Sequence, residues 1–209
     1  MFTSSSHTSL FSSKTPWEAL INLTTYFKTL SLGVQKGTIS PNATLINPDL
    51  ITIGEGTTVA PGALIEGPCY IGKNCHIGHT AYLRPYTLLE DNCTVGHATE
   101  IKHSIFLSGA KAPHFNYVGD TILGANVNLG AGVKCSNVRV DHKPISVFFD
   151  GTWHNTGIKK LGALIGDRVQ LGCNTVTNPG VIIYPDYMCG PNKTLTPSQT
   201  YGSRTLQKT

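Results

Sequence analysis

The sequence predicts an all-β fold, a parallel β-helix, from three observations: aliphatic residues recur every six positions, small residues follow them at a fixed offset, and the composition is rich in turn formers. Glycine occurs 22 times and proline 12 times among 209 residues, and only 13% of the residues are charged. This composition suits many short strands joined by tight turns. The chain is long enough for one main domain with a buried core.

The six-residue repeat is the strongest signal in the chain. Four residues after each aliphatic position comes a small residue, and glycine often follows the aliphatic residue directly. In a β-helix of this kind, each six-residue unit forms one side of a triangular coil and stacked coils share a core. We therefore expect a β-helix over residues 37–191. The aliphatic series is Ile53, Val59, Ile65, Ile71, Ile77, Leu83, Leu89, Val95 and Ile101, and it resumes at Leu123, Leu129, Ile165, Leu171 and Ile183.

Three cysteines occupy small, inward positions of the repeat. We interpret Cys69, Cys75 and Cys93 as small hydrophobic core residues. A zinc site made of Cys69, Cys75, His76 and His79 is the weaker alternative, because both cysteines would have to turn out of the core and no Cys-x-x-Cys spacing is present. We therefore predict no metal site.

The segment before the repeat predicts a disordered start, residues 1–14, and an amphipathic helix over residues 15–33. Thr15 and Glu18 have the spacing of a capping box, and Gly33 ends the pattern. We expect this helix to cover the open end of the β-helix, which would otherwise present unpaired strand edges. The predicted apolar face of the helix consists of Trp17, Leu20, Ile21, Thr24 and Phe27.

Charged residues one full coil apart lie above one another in the stack, about 4.8 Å from one another. One such column contains Glu66, Arg84, Lys102 and, after a slip in the count, Asp120. Two stacked cations require negative charge nearby. A bound phosphate would supply it, and so would ion pairs of Glu66 with Arg84 and of Asp120 with Lys102. Both interpretations remain open at this point.

A second column contains His79 and His97, with His114 beside it. Histidines on an exposed corner are more often solvated surface than metal ligands. A zinc-dependent carbonic anhydrase on this fold needs two histidines five positions apart. No two histidines of this chain have that spacing.

The six-residue count fails between Ile101 and Leu123, whose separation is not a multiple of six. We expect the coil to bulge or loop out there, at the segment KAPHFNYVGD, residues 111–120. Loops on rigid scaffolds often carry chemistry. His114 is the side chain of this segment best suited to proton transfer near neutral pH, although a histidine that only caps a bulge is the alternative.

Residues 139–159 predict a two-stranded arm that leaves the coil. Apolar residues alternate on both sides of Asp150 and Gly151, a strong hairpin signal. Residues 192–209 are predicted to form a C-terminal tail.

The run from Ala81 to Asn137 resembles the acetyltransferase half of the bacterial glucosamine-1-phosphate acetyltransferase/N-acetylglucosamine-1-phosphate uridyltransferase. The segments LRPYTLLE, EIKHS, PHFNYVGD and NVNLGAG carry the resemblance. The arm is similar to that of archaeal sugar-1-phosphate nucleotidylyltransferases with an acetyltransferase half. The resemblance implies a left-handed parallel β-helix of the hexapeptide-repeat acyltransferase family. It also implies a homotrimer with active sites between neighbouring copies.

The resemblance further implies roles for individual residues. His114 would be the general base, Glu100 would orient it, and Asn128 or a backbone N–H would stabilise the oxyanion. Val138 stands where the bacterial pattern has an aromatic residue. The implied substrate-binding residues are Arg84, Lys102, Tyr117, Asn128, Asn137 and Lys160, and the implied acyl-CoA groove is lined by Ala131, Cys173 and Gly190.

The function implied is an acetyl-CoA-dependent N-acetyltransferase for an amino-sugar phosphate, with glucosamine 1-phosphate as the expected substrate, in UDP-GlcNAc biosynthesis. The residues before the β-helix are too few for a nucleotidyltransferase domain, so we expect that activity in a separate partner. The alternative is a non-catalytic β-helix that binds a sugar nucleotide as a regulator or scaffold.

Charge and hydropathy restrict the partners. The net charge of +4 comes without a block of lysine or arginine, so we expect no nucleic-acid partner. No apolar run reaches membrane-spanning length, and residues 1–14 lack the features of a signal peptide. We therefore expect a cytoplasmic protein with no membrane partner.

Overall fold

The computed structural model of the chain describes residues 1–2 and 5–202. The predicted fold class is confirmed as a parallel β-helix built of stacked coils. Three parallel sheets form the faces of a triangular prism, and the chain visits the first, second and third face in turn. On the second face, for example, Ile65 pairs with Leu83, its counterpart three repeats later. One coil therefore consists of three six-residue units, as the repeat predicts.

The faces are built from very short strands. Those of the first face are Thr38–Ile39, Thr58–Val59, His76–Ile77, Thr94–His97, Lys111–His114, Asn128–Leu129, Gln170–Leu171 and Met188–Cys189. Those of the second face are Thr44–Ile46, Leu64–Glu66, Tyr82–Leu83, Glu100–Lys102, Tyr117–Gly119, Lys134–Cys135, Val176–Thr177 and Thr194–Leu195. Those of the third face are Ile51–Ile53, Cys69–Ile71, Thr87–Leu89, Ile105–Phe106, Ile122–Leu123, Leu164–Ile165 and Ile182–Ile183.

The core follows the axis of the prism. Every aliphatic residue predicted to point inward, from Ile53 to Ile101 and from Leu123 onward, is at most 3% exposed. Cys69, Cys75 and Cys93 are buried in the same cluster, so their interpretation as core residues is confirmed.

The interruption of the repeat consists of two shortened corners, and the bulge or loop predicted over residues 111–120 is wrong. Val95 pairs with Ala112, and Ile101 pairs with Val118, in each case one position short of the regular coil. The predicted loop is part of the coil, as strands of the first and second faces.

The inward positions across the interruption are Phe106, Ala112 and Val118, all fully buried. The third face is reached one residue early after Ile101 and again after Val118. A residue removed at a corner shortens the turn but keeps the in-and-out alternation of the next strand. The core therefore continues without a break from Ile101 to Leu123.

The predicted helix is present as α1, Glu18–Phe27, but it does not cover the open end of the prism. It packs against the outside of the third face, where Leu20, Leu23 and Phe27 join a cluster with outward-pointing residues of that face. Ile21, predicted on the apolar face of α1, is 45% exposed. The position follows from burial of apolar area, because the outward residues of the third face are themselves aliphatic. They are Leu88, Ile105, Ile122, Leu164 and Ile182.

The start of the chain, predicted to be disordered, is ordered where the structure describes it. A 3₁₀ helix spans Thr8–Phe11, and Leu10 is buried in the third-face cluster. Ser5 and Ser6 donate hydrogen bonds to the carboxylate of Glu90. Apolar burial and these bonds offset the ordering entropy of the segment. Residues 3–4 lie outside the described residues.

The predicted hairpin arm is confirmed, with antiparallel strands Ser146–Phe149 and Thr152–Asn155. One side of the arm also packs on the third-face cluster, through the buried Ile145 and Val147. The Phe149 ring meets the Trp17 ring edge-on at 5.7 Å.

The β-helix extends beyond its predicted end at residue 191. Thr194–Leu195 pairs on the second face, and Tyr201 forms a bridge with Ile183. Residues 203–209 of the predicted tail lie outside the described residues. Within the described ranges, no helix is long and apolar enough to cross a bilayer.

Candidate active site

The two predicted cations lie in one cleft at the corner between the second and third faces. Arg84, Lys102 and Asp120 line it, as their predicted column requires. Its volume is about 340 Å³. Thr24 of α1 also lines the cleft. The lining is completed by Pro85, Tyr86 and His103.

Each cation of the cleft has a carboxylate partner. Nη1 of Arg84 lies 2.9 Å from Oε1 of Glu100, and Nζ of Lys102 lies 3.4 Å from Oδ2 of Asp120. The predicted Lys102 pair is therefore present, whereas Arg84 does not pair with Glu66. The hydroxyl of Tyr82, on the adjacent coil, donates to Glu66 at 2.7 Å instead. Carboxylates thus relieve the repulsion between the stacked cations within this chain.

Asp120 is the most connected group of the cleft. Its Oδ1 lies 3.0 Å from Nδ1 of His103, and its Oδ2 accepts a hydrogen bond from Nδ2 of Asn137 at 2.5 Å. Burial by itself would raise the pKa of Asp120, but the bonds from His103 and Asn137 and the charge of Lys102 outweigh burial and lower it. Asp120 is therefore an anion at neutral pH and holds these neighbours in place.

Tyr117 and Asn137 converge beside the cleft. A Cβ atom on Gly119 would lie 2.7 Å from both the Tyr117 hydroxyl and the Asn137 side-chain nitrogen, so a larger residue there would displace these two groups. Burial, followed by the nearby charges of Glu100 and Asp120, raises the pKa of Tyr117. The hydroxyl therefore stays protonated and can donate a hydrogen bond to a ligand.

His114 lies at the opposite edge of the second face, in one column with His79 and His97. The rings of His79 and His97 are stacked in parallel at 5.5 Å, and His97 pairs in register with His114. The shortened corner thus moves His114 into the histidine column, not beside it. The His114 side chain is exposed and has no hydrogen-bond partner in the part of the chain that the structure describes.

The predicted contact of Glu100 with His114 is absent from the described residues. The Glu100 carboxylate bonds Arg84 at 2.9 Å. Glu100 and Tyr117 pair with each other in register and lie between the two edges of the second face. Within one chain, the carboxylate therefore serves the cation cleft and leaves the imidazole free.

The predicted acyl-CoA residues continue the corner column below His114. The amide of Gly132, the residue after Ala131, donates to the His114 carbonyl, so Ala131 lies next to His114 on the following coil. The amide of Asn174, the residue after Cys173, donates to the Ala131 carbonyl in the same way, so Cys173 continues the column. Gly190 lies beside Gly172 on the next coil, because a Cβ on Gly172 would clash with the Gly190 backbone. Since Gly172 directly precedes Cys173, Gly190 is one residue away from the column.

The backbone of this column carries two free hydrogen-bond donors. The amides of Ala131 and Cys173 have no acceptor among residues 1–2 and 5–202. These free donors lie in a row of small residues, where an amide-rich chain could bond the backbone without meeting large side chains.

The two remaining predicted residues lie apart from each other. Asn128 is half-buried on the first face, between Lys111 and Gln170 in register. Lys160 is exposed at the end of the arm, next to Leu161, whose amide donates to the Asn137 carbonyl at 3.0 Å. Asn128 therefore belongs to the side of His114, and Lys160 to the side of the cation cleft.

Sequence reasoning missed His103 as a site residue. Asp120 follows Lys102 by one regular coil, whereas it falls one position short of a regular coil after His103. The repeat therefore indicated only Lys102 as a neighbour of Asp120. The shortened coil brings both residues to the same carboxylate.

Comparison with known proteins identifies the family of this chain. The family described as the GMPPB C-terminal domain matches residues 65–200. The chain belongs to this family. The matched residues include the charged groups of the cation cleft and the histidine column.

Two relatives of this member of the GMPPB C-terminal domain family have much longer chains. The bifunctional sugar-1-phosphate nucleotidylyltransferase/acetyltransferase of Sulfurisphaera tokodaii is 43% identical over 133 residues, 64% of this chain and 33% of that protein. The bifunctional protein GlmU of Methanococcus vannielii is 36% identical over 177 residues, 85% of this chain and 42% of that protein. The chain thus spans less than half the length of these relatives.

A third relative is closer in length. The uncharacterized acetyltransferase YaiX of Escherichia coli O6:K15:H31 is 38% identical over 157 residues, 74% of this chain and 68% of that protein. Among the residues that the structure describes, no three histidine, cysteine, aspartate or glutamate side chains are grouped as a metal site requires.

Proposed function

We propose that this protein is an acetyl-CoA-dependent N-acetyltransferase that acts on an amino-sugar phosphate, with glucosamine 1-phosphate as the first substrate to test. One observation carries the proposal: the Arg84–Lys102 cleft and the exposed imidazole of His114 lie at the two edges of the same face. The acetyltransferase names of the relatives support the reaction type.

The cation cleft would hold the phosphate. Arg84 and Glu100 are 37% and 36% exposed, so their ion pair is weak, about 0–1 kcal/mol. A phosphate dianion can therefore replace Glu100 at Arg84 and form stronger, charge-assisted bonds. The released Glu100 carboxylate then becomes available to orient the imidazole of His114. Tyr117, Asn137 and Lys160 would contact the sugar and the phosphate.

His114 would act as the general base at the other edge. It accepts the amine proton as the amine nitrogen bonds the thioester carbon, and it returns this proton to the sulfur when the carbon–sulfur bond breaks. Asn128 or a free backbone N–H, such as that of Ala131, would stabilise the negative charge on the carbonyl oxygen. No bond between enzyme and acetyl group is needed.

The proposal includes a cytoplasmic homotrimer with sites between copies, and a nucleotidyltransferase reaction that uses the product in UDP-GlcNAc biosynthesis. The third face is covered by α1, the arm and the start of the chain. Contacts between copies would therefore use the first and second faces, which carry the candidate residues. Light scattering should give three times the chain mass.

The test is a direct assay with glucosamine 1-phosphate and acetyl-CoA, in which thiol release is measured. We expect His114→Ala to lower turnover by roughly 10²-fold or more without a change in melting temperature, because the proton acceptor is lost. His76→Ala is the matched control, since His76 is an exposed histidine of the first face outside the proposed site. Unchanged turnover in His114→Ala would show that the base is wrongly assigned.

The second candidate is a non-catalytic β-helix that binds a sugar nucleotide. The observation that favours it is the Arg84–Glu100 pair, which leaves His114 without an orienting carboxylate among the residues that the structure describes. Binding of a sugar nucleotide, without consumption of acetyl-CoA in the presence of any amino-sugar phosphate, would support this candidate over the enzyme.

A further inference from the structure

His103 lies in the cation cleft and has no part in the proposed function so far. Its side chain is 22% exposed and lines the cleft together with Arg84 and Lys102. Nδ1 lies 3.0 Å from Oδ1 of Asp120, and the ring meets the Tyr86 ring edge-on at 6.1 Å. The imidazole is thus held on two sides, by a carboxylate and by an aromatic ring.

The contact with Asp120 determines which ring nitrogen is left for a ligand. An ionised carboxylate only accepts hydrogen bonds, so a hydrogen bond at this 3.0 Å contact requires the proton on Nδ1 of His103. The other carboxylate oxygen is engaged by Asn137 and Lys102. Nε2 is therefore the nitrogen that remains, and it can donate to an anion only when the ring is doubly protonated.

The surroundings of His103 favour that protonation once an anion is bound. Asp120 is the negative group in contact with the ring, whereas Lys102 and Arg84 contribute positive charge to the same cleft. From α1, the residue that lines the cleft is the uncharged Thr24. An anion between the two cations would cancel their repulsion on the imidazolium, which the Asp120 carboxylate then stabilises.

We propose that His103 is a third anion-binding residue of this cleft. Its Nε2–H would bond a phosphate oxygen already held by Arg84 and Lys102, so the protein would take up a proton when the anion binds. The inference rests on the proposed function only for the identity of the anion as the phosphate of the substrate.

The decisive experiment is calorimetry of sulfate binding to the full chain. Sulfate does not change its own protonation near neutral pH, so titrations in two buffers with different ionisation enthalpies report proton uptake by the protein alone. We expect proton uptake in the wild type. We expect none in His103→Asn, together with about tenfold weaker binding, because a charge-assisted bond is lost.

The substitution His103→Asn is expected to weaken anion binding without destabilising the fold. The asparagine amide can still donate to Asp120 from about the position of Nδ1, but it has no counterpart of Nε2. The melting temperature should therefore be retained. His76→Asn is the matched control and should bind sulfate like the wild type.

Two results would overturn the inference: sulfate binding and proton uptake in His103→Asn equal to the wild type, or ¹⁵N signals of the wild-type His103 ring that do not move as sulfate is added. The second measurement requires no variant to fold. For the reaction, His103→Asn should raise the KM for glucosamine 1-phosphate about tenfold and leave kcat unchanged. Wild-type protein that takes up a proton with sulfate but transfers no acetyl group would contradict the proposed function alone.

Discussion

The second and third faces of the prism have the same repeat and the same backbone geometry but opposite surfaces. On the third face, the outward residues Leu88, Ile105 and Ile122 are fully buried under other parts of the chain. On the second face, the outward residues Glu100 and Tyr117 are partly exposed and bond polar neighbours. Inward positions build the prism, and outward positions decide whether a face is covered or offers chemistry.

The difference has a simple physical origin. Aliphatic outward residues gain free energy when other segments cover them, about 25 cal/mol per Å² of buried apolar area. Charged outward residues would lose hydration under such a cover. The candidate residues therefore lie on the second face and along its edges, and α1 reaches one of these edges through Thr24.

The largest expected effect comes from a charge placed on the third face. Ile105→Asp puts a carboxylate at a fully buried position between the prism and the covering segments. We expect a loss of about 3–5 kcal/mol of unfolding free energy, because the buried charge has no partner. Urea denaturation measures it.

The matched change on the second face is Thr44→Asp, at an exposed outward position. It should alter the unfolding free energy by no more than about 0.5 kcal/mol. Equal losses in the two variants would contradict the contrast between the faces.

A smaller loss of unfolding free energy is expected from a substitution where the start of the chain attaches near the third face. Glu90 is 2% exposed and accepts hydrogen bonds from Ser5, Ser6 and Ser108. Glu90→Gln should cost about 2–3 kcal/mol at pH 7, because bonds to a charged acceptor are lost. Chemical denaturation is the measurement, with Glu55→Gln, at an exposed corner, as the control.

The contribution of Glu90 to the unfolding free energy should depend on pH. Burial alone would raise the pKa of this carboxyl, but the hydrogen bonds from Ser5 and Ser108 outweigh burial and lower it. Because the folded-state pKa is below the unfolded one, the stabilisation is complete above about pH 4.3 and is lost as the pH falls further. A difference between wild type and Glu90→Gln that grows on acidification would contradict this assignment.

The smallest effect is expected on the second face itself. Tyr82→Phe removes the hydrogen bond from the Tyr82 hydroxyl to Glu66, where both groups are partly exposed. Water can replace the lost partner, so we expect a change within about 0.5 kcal/mol. A loss comparable to that of Glu90→Gln would show that the second face is more rigid and better shielded than its exposure indicates.

The sequence predicted the repeat well and its interruption poorly. The buried ladder from Ile53 to Ile101 followed from spacing alone, because an inward position tolerates few residue types. The irregular gap before Leu123 was visible too. The form of the interruption was not, because two shortened corners and one loop leave the same count. The strand pairing of Ala112 and Val118 distinguishes them.

Side-chain partners were the least predictable part of the candidate site. The pair of Lys102 and Asp120 followed from the column, but Glu100 could reach Arg84 along the face as easily as the predicted His114 across it. His103 gave no signal beyond its place next to Lys102. Partner choice depends on side-chain reach and on the local register, which a single sequence does not contain.

By itself, the sequence determined the prism, its core and the residue types available on each face, since a six-residue period permits only one inward set. The tertiary structure alone decided that α1 lies along the third face, that the histidine column runs into the row of free amides, and that Asp120 gathers His103, Lys102 and Asn137. These outcomes depend on contacts between residues far apart in the chain, where burial and charge select among arrangements that the local pattern leaves equally open.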